Sequence, residues 1–294
     1  MADVEDVAVV FGAHGTLGRA LGDELKQAGW KVPVVAARSD CDIRDEQAVR
    51  ALLERTRPTT VFNAAAYTDV DRAEREPDLA FAVNAYGAEV LARAAAAIGA
   101  GVVHYSTDFV FDGELGRAYD EFDQTSPQGV YARSKRAGDV LVAAAAPRHQ
   151  ILRVGCLYGR GGRNFPSTIV RRLLAGETIR SDRDRLGSPT WVREVARVSA
   201  VLPRRAPSGM YHCTAQGETS WADFARLAAA TLDLPEGRVE GVPSAALSLI
   251  APRPRRAILE NRMLKLRGLD TLSRWDDGLR AFIAEETNGV RHDS

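Results

Sequence analysis

The sequence has 294 residues and a mass of 31.9 kDa, enough for one large α/β domain or two modest ones. Lys and Arg together number 39, as do Asp and Glu, so the zero net charge excludes the basic excess of a general nucleic-acid binder. No apolar run approaches the roughly 18 residues of a membrane span, and the acidic first residues are unlike a signal peptide. Cys41, Cys156 and Cys213 are widely separated, which predicts reduced thiols and a cytoplasmic protein.

Short β-branched runs alternate with longer Ala-rich stretches through the first 155 residues. The pattern predicts strands over residues 7–11, 31–36, 60–63, 101–106 and 150–154. It predicts helices over residues 17–28, 46–55, 79–98 and 130–145. Continuous apolar strands separated by helices are typical of a parallel sheet buried on both faces. Because such crossovers are right-handed, the expected fold class is α/β, a Rossmann-type doubly wound parallel sheet.

The rhythm changes after residue 155, where turn-rich segments become frequent. A helix is expected over residues 167–174, and another is expected to begin near Ser220, a suitable N-cap. The segment 191–204 is expected to return to the sheet. The sequence therefore predicts an NAD(P)-binding domain over residues 1–154 and a smaller C-terminal α/β substrate lobe over residues 155–294.

A glycine-rich turn follows the first predicted strand: residues 12–18 read Gly-Ala-His-Gly-Thr-Leu-Gly. Gly12 permits the tight turn, Gly15 lets the backbone approach a pyrophosphate at the helix N-terminus, and Gly18 allows close helix–sheet packing. The spacing departs from the more common G-x-G-x-x-G, and a turn without a ligand is the plainer alternative. Its position at the end of the first strand favours dinucleotide binding.

The end of the second predicted strand indicates which dinucleotide binds. An acidic residue there usually accepts from the ribose 2′-hydroxyl of NAD, whereas this chain has Arg38, and a guanidinium suits a 2′-phosphate. The sequence therefore favours NADPH, although a solvated surface arginine is a plain alternative. The nearby Asp40 could accept from a ribose 2′-hydroxyl, so NADH remains an alternative cofactor. Asp42 and Ile43 follow where the chain is expected to pass the adenine.

A proton-transfer pair is predicted at the start of the helix over residues 130–145. Tyr131 and Lys135 form Y-x-x-x-K, and residues at i and i+4 share one helix face. A nearby ammonium is expected to lower the pKa of the phenol, bringing it closer to working pH. Taken alone, the Y-x-x-x-K pattern occurs most often on the surface of helices that have no catalytic role. Thr107, at the carboxyl end of a predicted strand, strengthens it because its hydroxyl can polarise a substrate carbonyl.

Several longer segments carry a family resemblance across nearly the whole chain. They are residues 61–74, 83–85, 104–113, 151–153, 158–159, 164–165, 187–190, 209–212 and 253–254. With the glycine-rich turn, Tyr131 and Lys135, they make the sequence resemble the extended short-chain dehydrogenase/reductase superfamily. More narrowly, it resembles the dTDP-4-dehydrorhamnose reductase family.

That resemblance implies an NAD(P)H-dependent oxidoreductase that reduces the C4 ketone of a dTDP-4-keto-6-deoxyhexose. It implies that Tyr131 donates the proton, that Lys135 binds the nicotinamide ribose, and that Thr107 and Asp108 contact the sugar. The positions that fall where the family contacts its cofactor, besides Gly12 and Arg38, are Gly15, Thr16, Leu17, Asp42, Ile43, Ala64, Ala65, Ala66, Tyr67, Thr68, Tyr105, Tyr131 and Lys135.

The sugar half departs from the family pattern. Cys156 stands where a tryptophan is usual, so a different sugar substituent or C4 configuration is open. Asn164 and Arg253 are candidates for the nucleotide–sugar side, and a guanidinium is a reasonable pyrophosphate partner. Both rhamnose and natural-product deoxysugar biosynthesis fit. A related nucleotide-sugar epimerase or dehydratase and a non-catalytic NADP-binding subunit remain alternative functions. The sequence leaves open whether the protein forms a homodimer. None of its histidines, cysteines or acidic residues shows the spacing of a metal site.

Overall fold

The computed structural model describes residues 5–161 and 164–290. The first four residues, on which the signal-peptide expectation partly depends, lie outside these ranges, as do residues 162–163 and 291–294. All positions proposed for the site lie within the described ranges.

The strands of the described chain are numbered in sequence order. They are β1 (Val7–Phe11), β2 (Lys31–Ala36), β3 (Thr60–Asn63), β4 (Gly101–Thr107), β5 (His149–Val154), β6 (Leu157–Tyr158), β7 (Ile179–Asp182), β8 (Leu186–Gly187), β9 (Thr190–Trp191), β10 (Gly209–His212), β11 (Thr219–Ser220) and β12 (Val239–Val242). Six of them form one parallel sheet in the order β10-β5-β4-β3-β1-β2. The others pair as β6 with β9, β7 with β12 and β8 with β11.

The helices of the described chain are numbered in the same way. They are α1 (Thr16–Gln27), α2 (Glu46–Thr56), α3 (Val70–Ala73), α4 (Pro77–Phe81), α5 (Ala88–Ala97), α6 (Val130–Ala145), α7 (Phe165–Leu174), α8 (Val192–Arg205), α9 (Trp221–Thr231), α10 (Arg262–Leu266) and α11 (Trp275–Val290). Within residues 5–161 and 164–290, none of the helices combines the length and apolar character that crossing a bilayer needs.

The central strands are buried along their whole length because helices cover both faces of the sheet. Every residue of β3 and β4 is buried, and the apolar side chains divide between two cores on opposite faces. Helices α1 and α8 pack together on one face, whereas α2, α5 and α6 cover the other. Strand order reverses beside β1, which pairs with both β2 and β3. In such sheets ligands bind outside the carboxyl ends of the strands at this reversal.

Two elements differ from the sequence-based expectation. The helix predicted over residues 79–98 is interrupted: α4 leads into a π-helical turn over Ala82–Gly87, and only then does α5 begin. The segment 191–204 returns as helix α8, which packs on α1, while the strand that joins the sheet beside β5 is β10. The prediction missed this strand because its four residues, Gly-Met-Tyr-His, include no β-branched side chain.

Candidate active site

The glycine-rich turn joins β1 to α1 and is tightly packed. Gly12 has φ +91°, and a methyl group on it would lie 2.6 Å from the Ala64 carbonyl. A methyl group on Gly18 would collide with the Gly12 carbonyl oxygen, so helix and turn can approach only through glycine. Gly15 caps α1 without any side-chain hydrogen bond, leaving the first N–H groups, near Thr16 and Leu17, for an anion. This cradle fits a dinucleotide pyrophosphate.

The turn after β2 lies next to the glycine-rich turn. The N–H groups of Gly12 and Ala13 both donate to the Ala36 carbonyl, at 2.9 and 3.0 Å. Arg38 follows with its side chain 71% exposed and contacts the Asp42 carboxylate at 3.2 Å. Ile43, by contrast, is buried against the π-helical turn. The end of β2 therefore presents an exposed guanidinium where the second ribose of a dinucleotide is usually read.

The loop after β3, residues 64–68, crosses the carboxyl end of β1. The N–H of Ala64 donates to the Phe11 carbonyl at 3.0 Å. Asn84, in the π-helical turn, accepts from the N–H of Tyr67 at 2.8 Å and donates to its carbonyl at 3.0 Å. The same amide donates to the Ser134 hydroxyl in α6 at 2.9 Å. Asn84 thus ties the predicted cofactor loop to the helix that carries Tyr131.

Thr107, Tyr131 and Lys135 lie together at the carboxyl edge of the sheet. The Thr107 hydroxyl donates to the Asp108 carboxylate at 3.0 Å and sits beside the Tyr131 phenol. Tyr131 is half-buried, and its ring meets Phe109 edge-on with centroids 6.0 Å apart. The buried Lys135 ammonium donates to the Tyr105 carbonyl at 2.5 Å. Tyr105 itself points its hydroxyl to Ser199, so only its backbone faces this group.

The expected lowering of the phenol pKa is wrong. Burial raises the pKa of Tyr131 to about 12, and the neighbouring Thr107 hydroxyl only partly offsets this. Burial also lowers the pKa of Lys135 to about 8, opposed by the Asp139 carboxylate. The ammonium donates to the Tyr105 carbonyl. Desolvation, which sequence spacing does not reveal, has the largest effect on the pKa of the phenol.

A cluster of buried polar side chains around Asp139 lies next to Lys135. Asp139 accepts from the Ser106 hydroxyl at 2.9 Å and lies 3.8 Å from the Arg153 guanidinium. His104 lies 3.9 Å from the same carboxylate, and burial holds the pKa of this imidazole well below its ordinary value, so it is neutral. Asp139 follows Lys135 by four residues on α6, a spacing that could have indicated its position.

Asp108 and Cys156, which the resemblance assigns to the sugar, lie beside Tyr131. Burial raises the pKa of Asp108 to about 7, and burial together with the Asp108 charge raises the pKa of Cys156 well above its ordinary value. Both residues lie close enough to Tyr131 to affect its pKa. Cys156 has φ +50°, a left-handed backbone that is rare for a residue with a side chain. The structure therefore brings together Thr107, Asp108, Tyr131 and Cys156.

Two other sequence candidates, Asn164 and Arg253, have partners of their own in the structure. Asn164 caps α7 by accepting from the Ser167 N–H at 2.9 Å, and its amide donates to the Thr16 hydroxyl at 3.3 Å. It therefore touches the glycine-rich turn, and its role on the nucleotide–sugar side stays a prediction. Arg253 forms a two-pronged ion pair with Asp71, with both N–O distances 2.9 Å. Its role toward a pyrophosphate stays a prediction.

Glu74 was not singled out from the sequence as a site residue. Its carboxylate accepts from the N–H of Val130 at 2.7 Å, at the start of α6 and one residue before Tyr131. It thereby satisfies a free N–H at a helix start whose N-cap, Gly129, has no side chain to do so. In the residues that the structure describes, no group of three or more His, Cys, Asp or Glu side chains could hold a metal ion.

A sequence profile described as the RmlD substrate binding domain matches residues 7–288. The chain belongs to the RmlD family. This confirms the resemblance drawn from the motifs.

The relatives of this RmlD family member match it over nearly its whole length. A dTDP-4-dehydrorhamnose reductase of Streptomyces griseus is 40% identical over 94% of this chain and 91% of its own. A dTDP-4-keto-6-deoxy-D-glucose reductase of Streptomyces niveus is 40% identical over 92% and 94%. The dTDP-4-dehydrorhamnose reductase of Bacillus anthracis, solved in complex with NADP, superposes with a TM-score of 0.91 at 33% identity, covering 96% of this chain and 100% of that one. The predicted α/β fold class is confirmed.

Proposed function

We propose that this protein is an NADPH-dependent 4-ketoreductase of a dTDP-4-keto-6-deoxyhexose. The observation that carries the proposal is the position of Thr107, Tyr131 and Lys135 at the carboxyl end of β4, the same edge of the sheet as the glycine-rich turn after β1. Two relatives at 40% identity are named as reductases of such sugars, one for dTDP-4-dehydrorhamnose and one for dTDP-4-keto-6-deoxy-D-glucose.

Bound NADPH supplies the hydride that reduces the sugar ketone. As negative charge develops on the ketone oxygen, the Tyr131 phenol donates its proton to it and the Thr107 hydroxyl donates a hydrogen bond. Because burial favours the neutral phenol, Tyr131 carries its proton across the physiological pH range. Lys135, anchored by the Tyr105 carbonyl, is proposed to hold the nicotinamide ribose with its remaining N–H groups.

The remaining cofactor contacts follow from the backbone geometry. The N-terminus of α1 would hold the pyrophosphate, and the loop over residues 64–68, which packs against Gly12, would lie next to it. Arg38 is proposed to attract the 2′-phosphate that distinguishes NADPH from NADH. On the sugar side, Cys156 is smaller than the tryptophan usual there and is proposed to admit a different substituent or C4 configuration.

Two further expectations stay proposals. The three cysteines are free thiols, which supports action in the cytoplasm, where thiols are kept reduced. A homodimer is the assembly left open by the sequence, and sedimentation of the purified protein tests it.

A panel of freshly prepared dTDP-4-keto-6-deoxy sugars, assayed with NADPH and with NADH, tests the proposed reaction. We expect cofactor oxidation with at least one sugar and a C4 alcohol whose configuration NMR determines. Tyr131→Phe should lose most of the turnover while it still binds NADPH. Tyr211→Phe is the matched control because its hydroxyl bonds the Pro207 carbonyl outside the site. Absence of turnover with every sugar and both cofactors would refute the proposed function.

A further inference from the structure

The turn after β2 contains a carboxylate held by two arginines. Asp42 accepts from Arg44 through the backbone N–H at 3.0 Å, through Nε at 3.0 and 3.2 Å, and through a terminal nitrogen at 2.6 Å. Arg38 adds a single contact at 3.2 Å. The side chains of Arg44 and Asp42 are 30% and 28% exposed, whereas that of Arg38 is 71% exposed. Arg44 is therefore the main partner of the carboxylate, and Arg38 remains largely accessible.

This segment carries an excess of negative charge. Residues 38–45 contain two arginines and three aspartates. Asp40 is engaged by the Ala37 N–H at 2.8 Å, and Asp45 caps α2 by accepting from two N–H groups. Neither aspartate contacts an arginine within the described contacts. Without Arg44, the carboxylate of Asp42 would face Arg38 alone and cancel the charge that a phosphate needs.

Asp42 stays ionised under all ordinary assay conditions. The Arg44 side chain holds the pKa of this carboxyl well below its usual range, more than offsetting the opposite effect of burial. Its negative charge can therefore be balanced only by a neighbouring cation and not by protonation. A phosphate group carries a charge of about −1.5 to −2 near neutral pH, so an unbalanced carboxylate beside it is costly.

We propose that Arg44 determines cofactor specificity: by neutralising Asp42 it leaves the Arg38 guanidinium free to attract the 2′-phosphate of NADPH. The inference rests on the proposed function, because it concerns the same nicotinamide dinucleotide. Arg44 acts through Asp42 and does not itself contact the phosphate, so it is a positioning residue. Its effect falls on the ratio of NADPH to NADH affinity, because NADH has no 2′-phosphate and shares every other group.

Equilibrium binding of NADPH and NADH to the full-length protein, followed by nucleotide fluorescence, tests the proposal without any turnover. Arg44→Ala is expected to lower the affinity for NADPH relative to NADH by on the order of tenfold. Arg50→Ala is the matched control: it also removes one positive charge, from an exposed arginine paired with Glu46 at 3.4 Å on α2. We expect Arg50→Ala to keep the wild-type ratio.

A double variant separates neutralisation from direct contact. In Asp42→Asn/Arg44→Ala neither charge remains, so the affinity ratio should return to within about threefold of the wild-type value. If the double variant instead keeps the full loss of Arg44→Ala, Arg44 contacts the phosphate itself and the proposal is wrong. Should Arg44→Ala not fold, Arg44→Gln removes the same charge and is expected to show the same loss.

Two further outcomes keep this inference distinct from the proposed reductase activity. A wild-type protein that binds NADPH more tightly than NADH but turns over no keto sugar would refute the reductase and leave the role of Arg44 intact. A protein that reduces a keto sugar but binds both dinucleotides equally, with or without Arg44, would refute the role of Arg44 and leave the reductase intact.

Discussion

Replacing Asp108 by asparagine removes an ionisable group next to Thr107 while keeping the shape of the side chain. In the folded protein, burial raises the pKa of this carboxyl from 3.8 to about 7, although the Thr107 hydroxyl partly stabilises the charge. The folded state therefore binds the proton more tightly than the unfolded state does. The stability contributed by Asp108 is fully present below its unfolded pKa and is lost as the pH rises toward 7.

The size of this loss follows from the two pKa values. They differ by about three pH units, each worth about 1.4 kcal/mol, so the full loss approaches about 4 kcal/mol as an order of magnitude. About 1.5 kcal/mol of it has already occurred near pH 5. The asparagine side chain does not titrate. The free energy of unfolding of Asp108→Asn minus that of wild type should therefore increase by about 3 kcal/mol between about pH 5 and pH 8.

Urea unfolding of both proteins at several pH values measures this difference, and other titrating groups cancel in the comparison. Asp112→Asn is the matched control in the same segment. The Tyr119 hydroxyl donates to Asp112 at 2.7 Å and lowers the pKa of that carboxyl below 3.8. The stability that Asp112 contributes is therefore lost only as the pH falls below about 4, so the difference between this control and wild type should stay constant between about pH 5 and pH 8. A difference between Asp108→Asn and wild type that stays constant with pH would show that Asp108 is not buried as described.

Three other variants test separate parts of the site. Gly18→Ala places a methyl group against the glycine-rich turn and should raise the Kd for NADPH about tenfold or more, whereas Gly22→Ala in the same helix, which has room for a methyl group, should not. Asn84→Ala removes three hydrogen bonds made by a buried amide and should lower the free energy of unfolding by about 2–4 kcal/mol in urea titrations; a loss under about 1 kcal/mol would contradict its linking role. Arg253→Lys keeps the charge but not the two-pronged pair with Asp71, so we expect the KM for the nucleotide sugar to rise on the order of tenfold while the Kd for NADPH is unchanged. An unchanged KM would remove Arg253 from the sugar side.

The regular part of the fold could be predicted from local sequence. The predicted bounds of β1, β2, β3 and α6 match the structure, because continuous apolar strands and a long Ala-rich helix carry strong periodic signals. The interruption between α4 and α5 carried no such signal. The turn there places Asn84 against residues 67 and 134, and that contact depends on the tertiary fold.

The sequence indicated where the candidate residues lie better than it indicated their pKa values. Spacing along α6 and the end of β4 indicated Tyr131, Lys135 and Thr107, and all three lie at the carboxyl end of β4 in the structure, whereas their catalytic roles stay predictions. The direction of the phenol pKa was not predictable, because it depends on how much solvent the fold removes. The engagement of Arg44 with Asp42 was missed for a related reason, since an arginine in a charged turn is usually solvated.

Strand β10 makes the folding of the N-terminal sheet depend on the C-terminal half of the chain. It comes from the half expected to recognise the sugar, yet it hydrogen-bonds in parallel with β5 and closes that side of the nucleotide sheet. A fragment truncated after β5 would leave the unpaired edge of this six-residue strand open to pairing with other chains. A chimera that combines halves of two relatives to change sugar preference should therefore have its junction after β10, or should take β10 and β5 from the same parent.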